Sequence, residues 1–453
     1  MFAPMSAKSH KTYRSEITMD SEISDLRKIF QGVEDKRASN ASHKLDDILM
    51  CGYSMFSLKY TSLLDFEQQT VVEKSNLLSV FGIEKICSDV QLRAVLDKIE
   101  PRFLRDLFPK KFATLRKTGL LDEFAYKIGS IAYHIVSCDG VQHFSSKKIG
   151  CPCCLTKEHK DGSCTYHHNM LCAVLVHPEK REVFIMDVEP IIQQDGAEKN
   201  DCERNAAKRL QINMKQAYEK YQNNIKHYNF LFVEDALYAN APHIETLIDN
   251  QFNYLLNVKP DSHKTLFKYI EGKRARKELK VYAYTENGVK HQFEYINNVL
   301  LCSSSPKLRV NFIHYSQIDK NGKKTTFTWI TNIKLAQNKL ISLMKAARAR
   351  WKIENETFNT LKNLAYNFEH NYGHGKDHLS TMFAYLMLFA FYIDQLIQAC
   401  CHIFIQIEEK ITTKIKIWNT IKAIFQTTSV KSIFEIYQHL AALFEIKLKQ
   451  SLS

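Results

Sequence analysis

The chain has 453 residues, of which 45% are hydrophobic and 25% are charged. This is the composition of an ordinary soluble globular protein, and it excludes intrinsic disorder, a collagen-like repeat or a coiled-coil array as the main character of the chain. Lys and Arg outnumber Asp and Glu by 62 to 49, an excess that favours a polyanionic partner, of which nucleic acid is the commonest.

The excess of positive charge is concentrated in one part of the chain. Between Lys259 and Lys362 there are 21 Lys and Arg residues but only 8 Asp and Glu residues. Such a concentration predicts a surface that faces phosphate groups. The alternative is a solvated surface with an accidental bias.

The first 126 residues are predicted to be mainly helical. Residues 1–42 are polar, and from Leu45 to about Tyr126 apolar residues recur at intervals of three and four, which is the helical period. The N-terminus has no apolar core of signal-peptide length, so we expect a cytoplasmic protein.

The periodicity changes to that of β-strands at Ile131. The runs IAYHIVSCDG, MLCAVLVHP and EVFIMDVEP predict three strands, and NFLFVEDA and FNYLLNVK predict two more. Asn200 and Glu203 resemble an N-cap and its N3 partner at the start of a helix that runs to about Tyr221. Three strands, a helix and a strand–helix–strand unit indicate an α/β fold.

The last third of the chain returns to a helical pattern. Residues 275–332 alternate as β-strands do, a long helix is predicted from about Leu335 to Tyr366, and the rest is helical. The apolar run from Leu379 to Ile393 has about 15 residues, fewer than the roughly 20 that a membrane span needs. We expect it to be a buried helix and expect no membrane partner.

Three acidic residues are candidate metal ligands. Asp139 closes the first predicted strand, Asp235 closes the fourth, and Glu354 lies on the long helix. Carboxylates at the ends of strands lie at the edge of an open sheet, where ligands bind. Three hard oxygen ligands of this kind suit Mg²⁺, and a pair of such ions can activate an attacking oxygen and stabilise a leaving one.

Four phrases around these acids, VSCDGVQHF, FVEDALYANAP, TWITN and RWKIENETFNTLK, resemble the DDE transposases of bacterial insertion sequences. The resemblance covers roughly residues 75–400. It implies an α/β fold with a ribonuclease-H-like catalytic core, a β-rich insertion before the last acid, and flanking helical N- and C-terminal regions. It also implies that Asp139, Asp235 and Glu354 bind two Mg²⁺ ions, for which Mn²⁺ can substitute.

The activity implied by the resemblance is DNA cleavage at transposon ends, followed by transfer of the 3′-hydroxyl into target DNA. The implied partners are the terminal inverted repeats, the target DNA and a second copy of the chain in a homodimer. The implied location is the nucleoid in the bacterial cytoplasm. The alternatives are a DNA-binding relic without catalysis and a metal-dependent nuclease without strand transfer.

The resemblance divides the chain into five parts. They are a helical N-terminal region, 1–126; the first part of the core, 127–260, with a cysteine- and histidine-rich loop, 151–168; a basic β-rich insertion, 261–332; a catalytic-core helix, 333–376; and a helical C-terminal region, 377–453. The N-terminal region is the candidate domain for binding transposon ends, or alternatively a helical cap packed on the core.

The family's signature around the glutamate is altered at two positions. Arg350 and Glu354 fit it, but Ala347 stands where the family has a tyrosine, and the lysine falls one residue late, at Lys362. At about 100° per residue, Lys362 is rotated from the expected face yet close enough to reach a phosphate. Glu356 is a rival for the glutamate, and the RWKIE context favours Glu354.

Other residues are candidate contacts to DNA. Arg350 suits a bidentate contact to phosphate and Lys362 a point-charge contact, with solvated helix charges as the alternative. Trp329 is either a core aromatic or a stacking partner for a base flipped out at the transposon end.

The densest basic run, 263–280, supplies Lys273, Arg274 and Arg276 as candidate phosphate contacts. A solvated surface helix is the competing account of this run.

The loop 151–168 has the composition of a zinc site. Without an export signal, the twelve cysteines of the chain are expected to be thiols or metal ligands and not disulfides. The predicted ligands of a structural Zn²⁺ are Cys151, Cys154, His159 and His168, with Cys164 and His167 as substitutes. The alternative is a set of reduced thiols on a loop.

Overall fold

A computed structural model describes residues 7–192, 202–222, 228–411 and 413–449. The helices are α1 (Ala7–Glu16), α2 (Met19–Gln31), α3 (Leu45–Ser57), α4 (Leu63–Phe81), α5 (Asp89–Leu96), α6 (Arg102–Arg105), α7 (Leu107–Lys117), α8 (Leu120–Glu123), α9 (Glu203–Gln222), α10 (Ala241–Asp249), α11 (Lys264–Ala275), α12 (Leu340–Arg348), α13 (Asn359–Asn363), α14 (Leu379–Cys400), α15 (His402–Lys410), α16 (Lys414–Thr427) and α17 (Ile433–Leu443). The strands are β1 (Tyr126–Ile128), β2 (Ile131–Ser146), β3 (Leu155–Glu158), β4 (Cys164–Val176), β5 (Phe184–Ile191), β6 (Phe230–Glu234), β7 (Asn253–Asn257), β8 (Lys280–Glu286), β9 (Val289–Leu300), β10 (Arg309–Ile318) and β11 (Lys324–Thr331).

The strands form one mixed sheet, as the α/β expectation requires. Its order is β3-β4-β2-β6-β7-β11-β10-β9-β8, with β1 paired to β2 and β5 paired to β4. The strands β2, β6 and β7 are parallel neighbours, and the other pairs are antiparallel. All five residues of β6 are buried, because a central parallel strand is covered by packing on both of its faces.

The basic insertion extends the same sheet. Its strands β8 to β11 form an antiparallel meander that joins the core where Ile330 of β11 pairs with Leu256 of β7. The insertion therefore extends the central sheet sideways and does not form a separate layer.

The long helix predicted over 335–366 is interrupted. It consists of α12, a π-helical segment at Ile353–Phe358, and α13. Ala365 and Asn367, which have positive φ angles of 70° and 54°, follow α13. Backbone in the left-handed region does not continue a right-handed helix, so the catalytic helix ends well before residue 376.

The N-terminal helices share a hydrophobic core with α14. This helix packs against α2, α3, α5 and α6 and against β5. Lys59, which follows α3, forms a buried ion pair with Asp394 of α14, with Nζ and Oδ2 2.6 Å apart, and burial lowers the pKa of that lysine. This packing fits the helical-cap alternative for the N-terminal region.

Helix α14 has 22 residues, more than its apolar run predicts. By length and composition it is the one helix in the described ranges that could cross a membrane, but almost all of its apolar window is buried inside the protein. A core helix of a soluble protein meets the same criteria.

Candidate active site at the edge of the sheet

The first two acidic residues lie side by side on neighbouring parallel strands. The register pairs Ser137 of β2 with Val233 of β6, so Asp139 and Asp235 each come two residues after a paired position. The sequence predicts that Asp139 closes its strand, and this prediction is wrong. Strand β2 continues past Asp139 to Ser146, in antiparallel pairing with β4. Asp139 lies where the parallel neighbour ends, and Asp235 follows β6 directly.

Arg350 joins Asp139 to Glu354. Its Nη1 lies 3.4 Å from Oδ2 of Asp139, and its Nη2 lies 2.8 Å from Oε1 of Glu354. The Ser137 hydroxyl donates to the Arg350 carbonyl at 3.1 Å, which fastens this turn to β2. Arg350 is only 7% exposed, so it is not a solvated helix charge; its guanidinium holds two of the three predicted carboxylates together.

The pKa of Asp139 responds to the charges of the other two predicted acids, Glu354 and Asp235. Burial and the charges of Glu354 and Asp235 raise the pKa of Asp139 to about 7, against the opposing effects of Arg350 and of the Gly140 amide. Burial is the largest cause, and repulsion from the two neighbouring carboxylates adds to it. A divalent cation bound by these hard oxygen donors would relieve this repulsion.

A fourth carboxylate, that of Glu203, reaches the same place. Glu203 begins α9, and a Cβ built on Gly140 would lie 2.5 Å from its Oε1. Tyr238 donates its hydroxyl to Oε2 at 3.1 Å, while burial and the charge of Asp235 raise the pKa of Glu203. We call Asp139, Glu203, Asp235 and Glu354 the carboxylate centre.

The sequence pattern had assigned Glu203 to helix capping, with Asn200 as its partner. Asn200 lies outside the described residues. No local pattern in the sequence connects Glu203 with Gly140, which directly follows the first acid and has no side chain to exclude the glutamate.

The π-helical segment accounts for the lysine that falls one residue late. A π-turn takes one residue more than an α-turn, so the eight steps from Glu354 to Lys362 cover the rotation that seven cover in an α-helix. This geometry reduces the expected rotation of Lys362 away from the signature face, and its contact to phosphate stays a prediction. Its Nζ binds Oε1 of Glu369 at 2.6 Å. Of the two rival glutamates, Glu354 is the one that contacts Arg350.

A transposase DDE-domain model matches residues 152–391, which is more than half of the chain and includes Asp235 and Glu354. The chain belongs to the DDE transposase family. The family predicted from the sequence phrases is thus confirmed, and membership implies a DNA substrate and use of a divalent metal ion. No curated protein matches the chain at a significant level.

In this transposase, Trp329 is a core residue. It is 2% exposed and stacks on Phe327, with ring centroids 5.5 Å apart and planes inclined by 3°. A base can stack only on a free ring face, so the predicted stacking role does not fit. The exposed tryptophan near the site is Trp351, 49% exposed, with the Arg350 guanidinium 4.8 Å from its ring centroid.

The three basic candidates of the insertion lie on the surface at the end of α11. Arg274 binds Glu294 with Nη2 2.6 Å from Oε2, Arg276 binds Glu278 with Nε 2.5 Å from Oε1, and Lys273 also pairs with Glu278. Exposed ion pairs of this kind contribute little to stability and break readily. Arg274 and Arg276 are exposed and Lys273 is half-buried, and contact of the three side chains with DNA stays a prediction.

The transposase brings together three of the four predicted zinc ligands. Cys151, Cys154 and His168 lie with His374 in a group whose ligand atoms are all within 4.8 Å of one another. His159 lies elsewhere, with its Nε2 2.7 Å from the hydroxyl of Thr165. It is replaced by His374, since the loop before α14 returns to the N-terminal part of β4. The substitutes Cys164 and His167 are not in the group. We call these four residues the cysteine–histidine cluster.

Proposed function

We propose that the chain is the transposase of a bacterial insertion sequence, acting at the nucleoid in the cytoplasm. It would cleave DNA at the ends of its element and transfer the resulting 3′-hydroxyl into target DNA. The observation that carries this proposal is the bridge from Asp139 through Arg350 to Glu354, beside Asp235.

The strand order supports a ribonuclease-H-like core. The strands β5, β4 and β2 form an antiparallel set, and β6 and β7 continue in parallel on the other side of β2. This arrangement brings the end of β6 beside the middle of β2, where an open sheet presents ligands. The meander β8–β11 then corresponds to the insertion before the last acid.

The carboxylate centre has the donor chemistry for Mg²⁺, with Mn²⁺ as a substitute. Asp139, Asp235 and Glu354 would hold two such ions, which when bound would activate the attacking oxygen and stabilise the leaving one. The chain's own contribution is to hold these side chains in place. Ser137 anchors the turn that carries Arg350, and the Asp235 carboxylate accepts the Leu237 amide at 2.8 Å.

The basic insertion and the helix after Glu354 would position the DNA backbone. Lys273, Arg274 and Arg276 lie on the accessible surface, and Lys362 follows the π-helical segment. Phosphate can replace their carboxylate partners, because an exposed pair is weak and DNA concentrates negative charge. Ala347 is 5% exposed, so its position offers no contact like that of the family's tyrosine. We expect a homodimer on paired ends.

The test is cleavage of a labelled duplex that carries the element's own end, with Mg²⁺ and with EDTA. Asp139→Asn and Glu354→Gln should each reduce cleavage at least about 1,000-fold while DNA binding, measured by gel shift, stays within a few-fold. Glu356→Gln, on the same helical segment, is the matched control and should cleave normally.

Other outcomes would overturn the proposal in defined ways. Binding without cutting by the wild-type chain would indicate a relic, and cutting without joining of pre-cleaved ends would indicate a nuclease. Equal loss in Glu356→Gln and Glu354→Gln would contradict the assignment of the third acid.

A further inference from the structure

We propose that the cysteine–histidine cluster is a structural Zn²⁺ site that clamps the loop before α14 onto the N-terminal part of β4. Cys151 and Cys154 precede β3, His168 lies on β4, and His374 comes from a loop 206 residues further along the chain. The site is independent of the proposed catalytic function, and either can fail without the other.

The distances within the cluster match a tetrahedral zinc ion. With Zn–S near 2.3 Å and Zn–N near 2.0–2.1 Å, a tetrahedron requires about 3.8 Å between two sulfurs, about 3.5 Å between sulfur and nitrogen, and about 3.3 Å between two nitrogens. The Sγ atoms of Cys151 and Cys154 are 3.7 Å apart, and each lies 3.4 Å from Nε2 of His168. Nε2 of His374 lies 3.2 Å from Cys154 Sγ and 3.1 Å from His168 Nε2.

The two histidines present the correct nitrogen. Nδ1 of His374 lies 2.8 Å from the Gly375 carbonyl; a carbonyl only accepts, so Nδ1 carries the proton and Nε2 keeps a free lone pair. Such a bond from the second ring nitrogen is the usual support of a histidine ligand. Nδ1 of His168 is buried without a hydrogen-bond partner among the described residues, so this ring makes its polar contacts through Nε2, inside the cluster.

Burial makes the group costly unless a cation binds there. Cys154, His168 and His374 are 1%, 3% and 7% exposed. Buried polar groups require partners, and these four side chains mainly face one another. Two thiolates and two imidazole nitrogens supply the four N and S ligands of a closed structural zinc site.

The loop that supplies His374 is also held by hydrogen bonds to an N-terminal residue, Asp97. Asp97, directly after α5, accepts the backbone amides of the segment 376–379 at 2.9–3.1 Å. Gly375 has a φ of +69°, and a Cβ there would lie 2.2 Å from Oδ1 of Asp97. His374 is therefore positioned by the backbone before any metal binds.

The proposed clamp connects the two segments that carry the acids. Asp139 pairs with Cys172, and His168 is four residues before Cys172 on β4, a separation of about 13 Å along the strand. The loop with His374 follows α13 and so follows Glu354. Four protein ligands leave no open position, so the ion would hold the loop with His374 against β4 and take no part in the reaction.

The experiment is metal analysis of the full chain, purified with a reductant and without chelator. We expect about one zinc per chain and, after exchange with Co²⁺, the visible bands of a tetrahedral site with a thiolate charge-transfer band. His374→Ala should weaken zinc binding at least about 100-fold. His159→Ala and Cys164→Ser, in the same sequence region but outside the cluster, should bind zinc as the wild type does.

A second variant separates loss of a ligand from loss of folding. His374→Cys supplies a different zinc ligand at the same position and should recover most of the zinc that His374→Ala loses, with circular dichroism recorded for both. Zinc-free wild-type protein with Cys151 and Cys154 as free thiols, or with a Cys151–Cys154 disulfide, would overturn the proposal. So would equal loss of zinc in His159→Ala and His374→Ala.

Discussion

The carboxylate centre has one member on β2 and the cysteine–histidine cluster has one on β4, the strand paired with it, but the two sites are assembled differently. In the first, the guanidinium of Arg350 joins the carboxylates of Asp139 and Glu354. In the second, two sulfurs and two ring nitrogens lie within 4.8 Å of one another. The first is partly open, since Asp139 and Glu354 have side chains that are 24% and 35% exposed. The second is mostly buried. An open group of oxygens suits chemistry on a substrate, and a closed group of soft ligands suits structure.

The difference predicts that a perturbation at one site leaves the other intact. The largest effect is expected from Arg350→Met. Removing one partner of a buried ion pair leaves uncompensated charge, and because Glu354 is a third exposed we expect the low end of the usual range, about 3 kcal/mol of unfolding free energy. Urea denaturation at pH 7 measures it, and Mg²⁺ should restore more stability to this variant than to the wild type.

The control for this prediction is Arg348→Met, two residues earlier. The Arg348 guanidinium lies on the surface, 5.6 Å from the Phe327 ring centroid, so its loss should change stability by less than about 1 kcal/mol. If the two variants are equally stable, Arg350 does not hold the carboxylates together. A loss of zinc in Arg350→Met would break the distinction between the two sites.

The second prediction concerns the contact between Gly140 and Glu203. In Gly140→Ala the new Cβ would come within 2.5 Å of Oε1 of Glu203. Because the end of the glutamate side chain can rotate away, we expect the low end of the cost of overpacking, about 1 kcal/mol. Glu203→Ala in the same chain removes the collision, so a double-mutant cycle in urea should show coupling between the two changes. Additive effects would contradict the contact.

Gly272→Ala is the matched control for the glycine change. Its nearest neighbour to an added Cβ is the end of the Arg276 side chain, at 3.8 Å. In the interior of α11 this substitution should stabilise the chain by about 0.4–1 kcal/mol.

The third prediction perturbs the other site through Asp97. Asp97→Asn keeps an accepting oxygen but loses the charge that strengthens the bonds from the amides at 376–379, so we expect a loss of about 1–2 kcal/mol and about 10-fold weaker zinc binding. The reaction at the carboxylate centre should persist. Asp377→Asn, in the same loop and paired with Lys98 on the surface, should have a much smaller effect.

The pH dependence of that variant follows from the pKa of Asp97. Although burial opposes it, the amides of the loop lower this pKa, so the carboxylate stabilises the folded chain above its unfolded pKa of about 3.9. That stabilisation is lost as the pH falls through the lower folded value. The stability gap between the wild type and Asp97→Asn should therefore shrink when urea titrations are repeated from pH 5 downwards. A constant gap would contradict the role of the charge.

Local patterns were sufficient to predict much of the sheet and most of the acids. The apolar runs predicted β2 and β4–β7, because buried strands need continuous β-branched and aromatic residues, and Asp235 was placed at the end of β6. The interruption of the catalytic helix was missed, because the π-helical segment IENETF has no composition that separates it from an α-helix. Its effect was still visible in the sequence, as the lysine that falls one residue late.

The residues that were missed come from contacts distant in the chain. His374 is 206 residues from His168, and no local spacing connects them, whereas His159 fitted the local pattern and was chosen in its place. Glu203 satisfied a local rule for helix capping, which gave no reason to look for a contact with Gly140. The position of Trp329 in its predicted strand left two alternatives open, a core residue or a stacking partner for a base. The stack on Phe327, which decides between them, is visible only in the structure.

The smallest change in stability is expected from a substitution at Trp351, which should affect the carboxylate centre and leave the cysteine–histidine cluster unchanged. Trp351→Ala removes the ring beneath the Arg350 guanidinium, a cation–π contact worth about 0.5–1 kcal/mol at a half-exposed position, and Trp351→Phe should retain part of it. Because Arg350 itself contacts Asp139 and Glu354, end cleavage should fall in Trp351→Ala by more than the stability change alone explains, while zinc content stays at the wild-type level. Leu443→Ala, at a similarly exposed apolar residue far along the chain, should alter neither. Unchanged cleavage in Trp351→Ala would mean that Asp139 and Glu354 alone hold the Arg350 guanidinium in place. The carboxylate centre would then depend less on the exposed Trp351 than the cysteine–histidine cluster depends on Asp97.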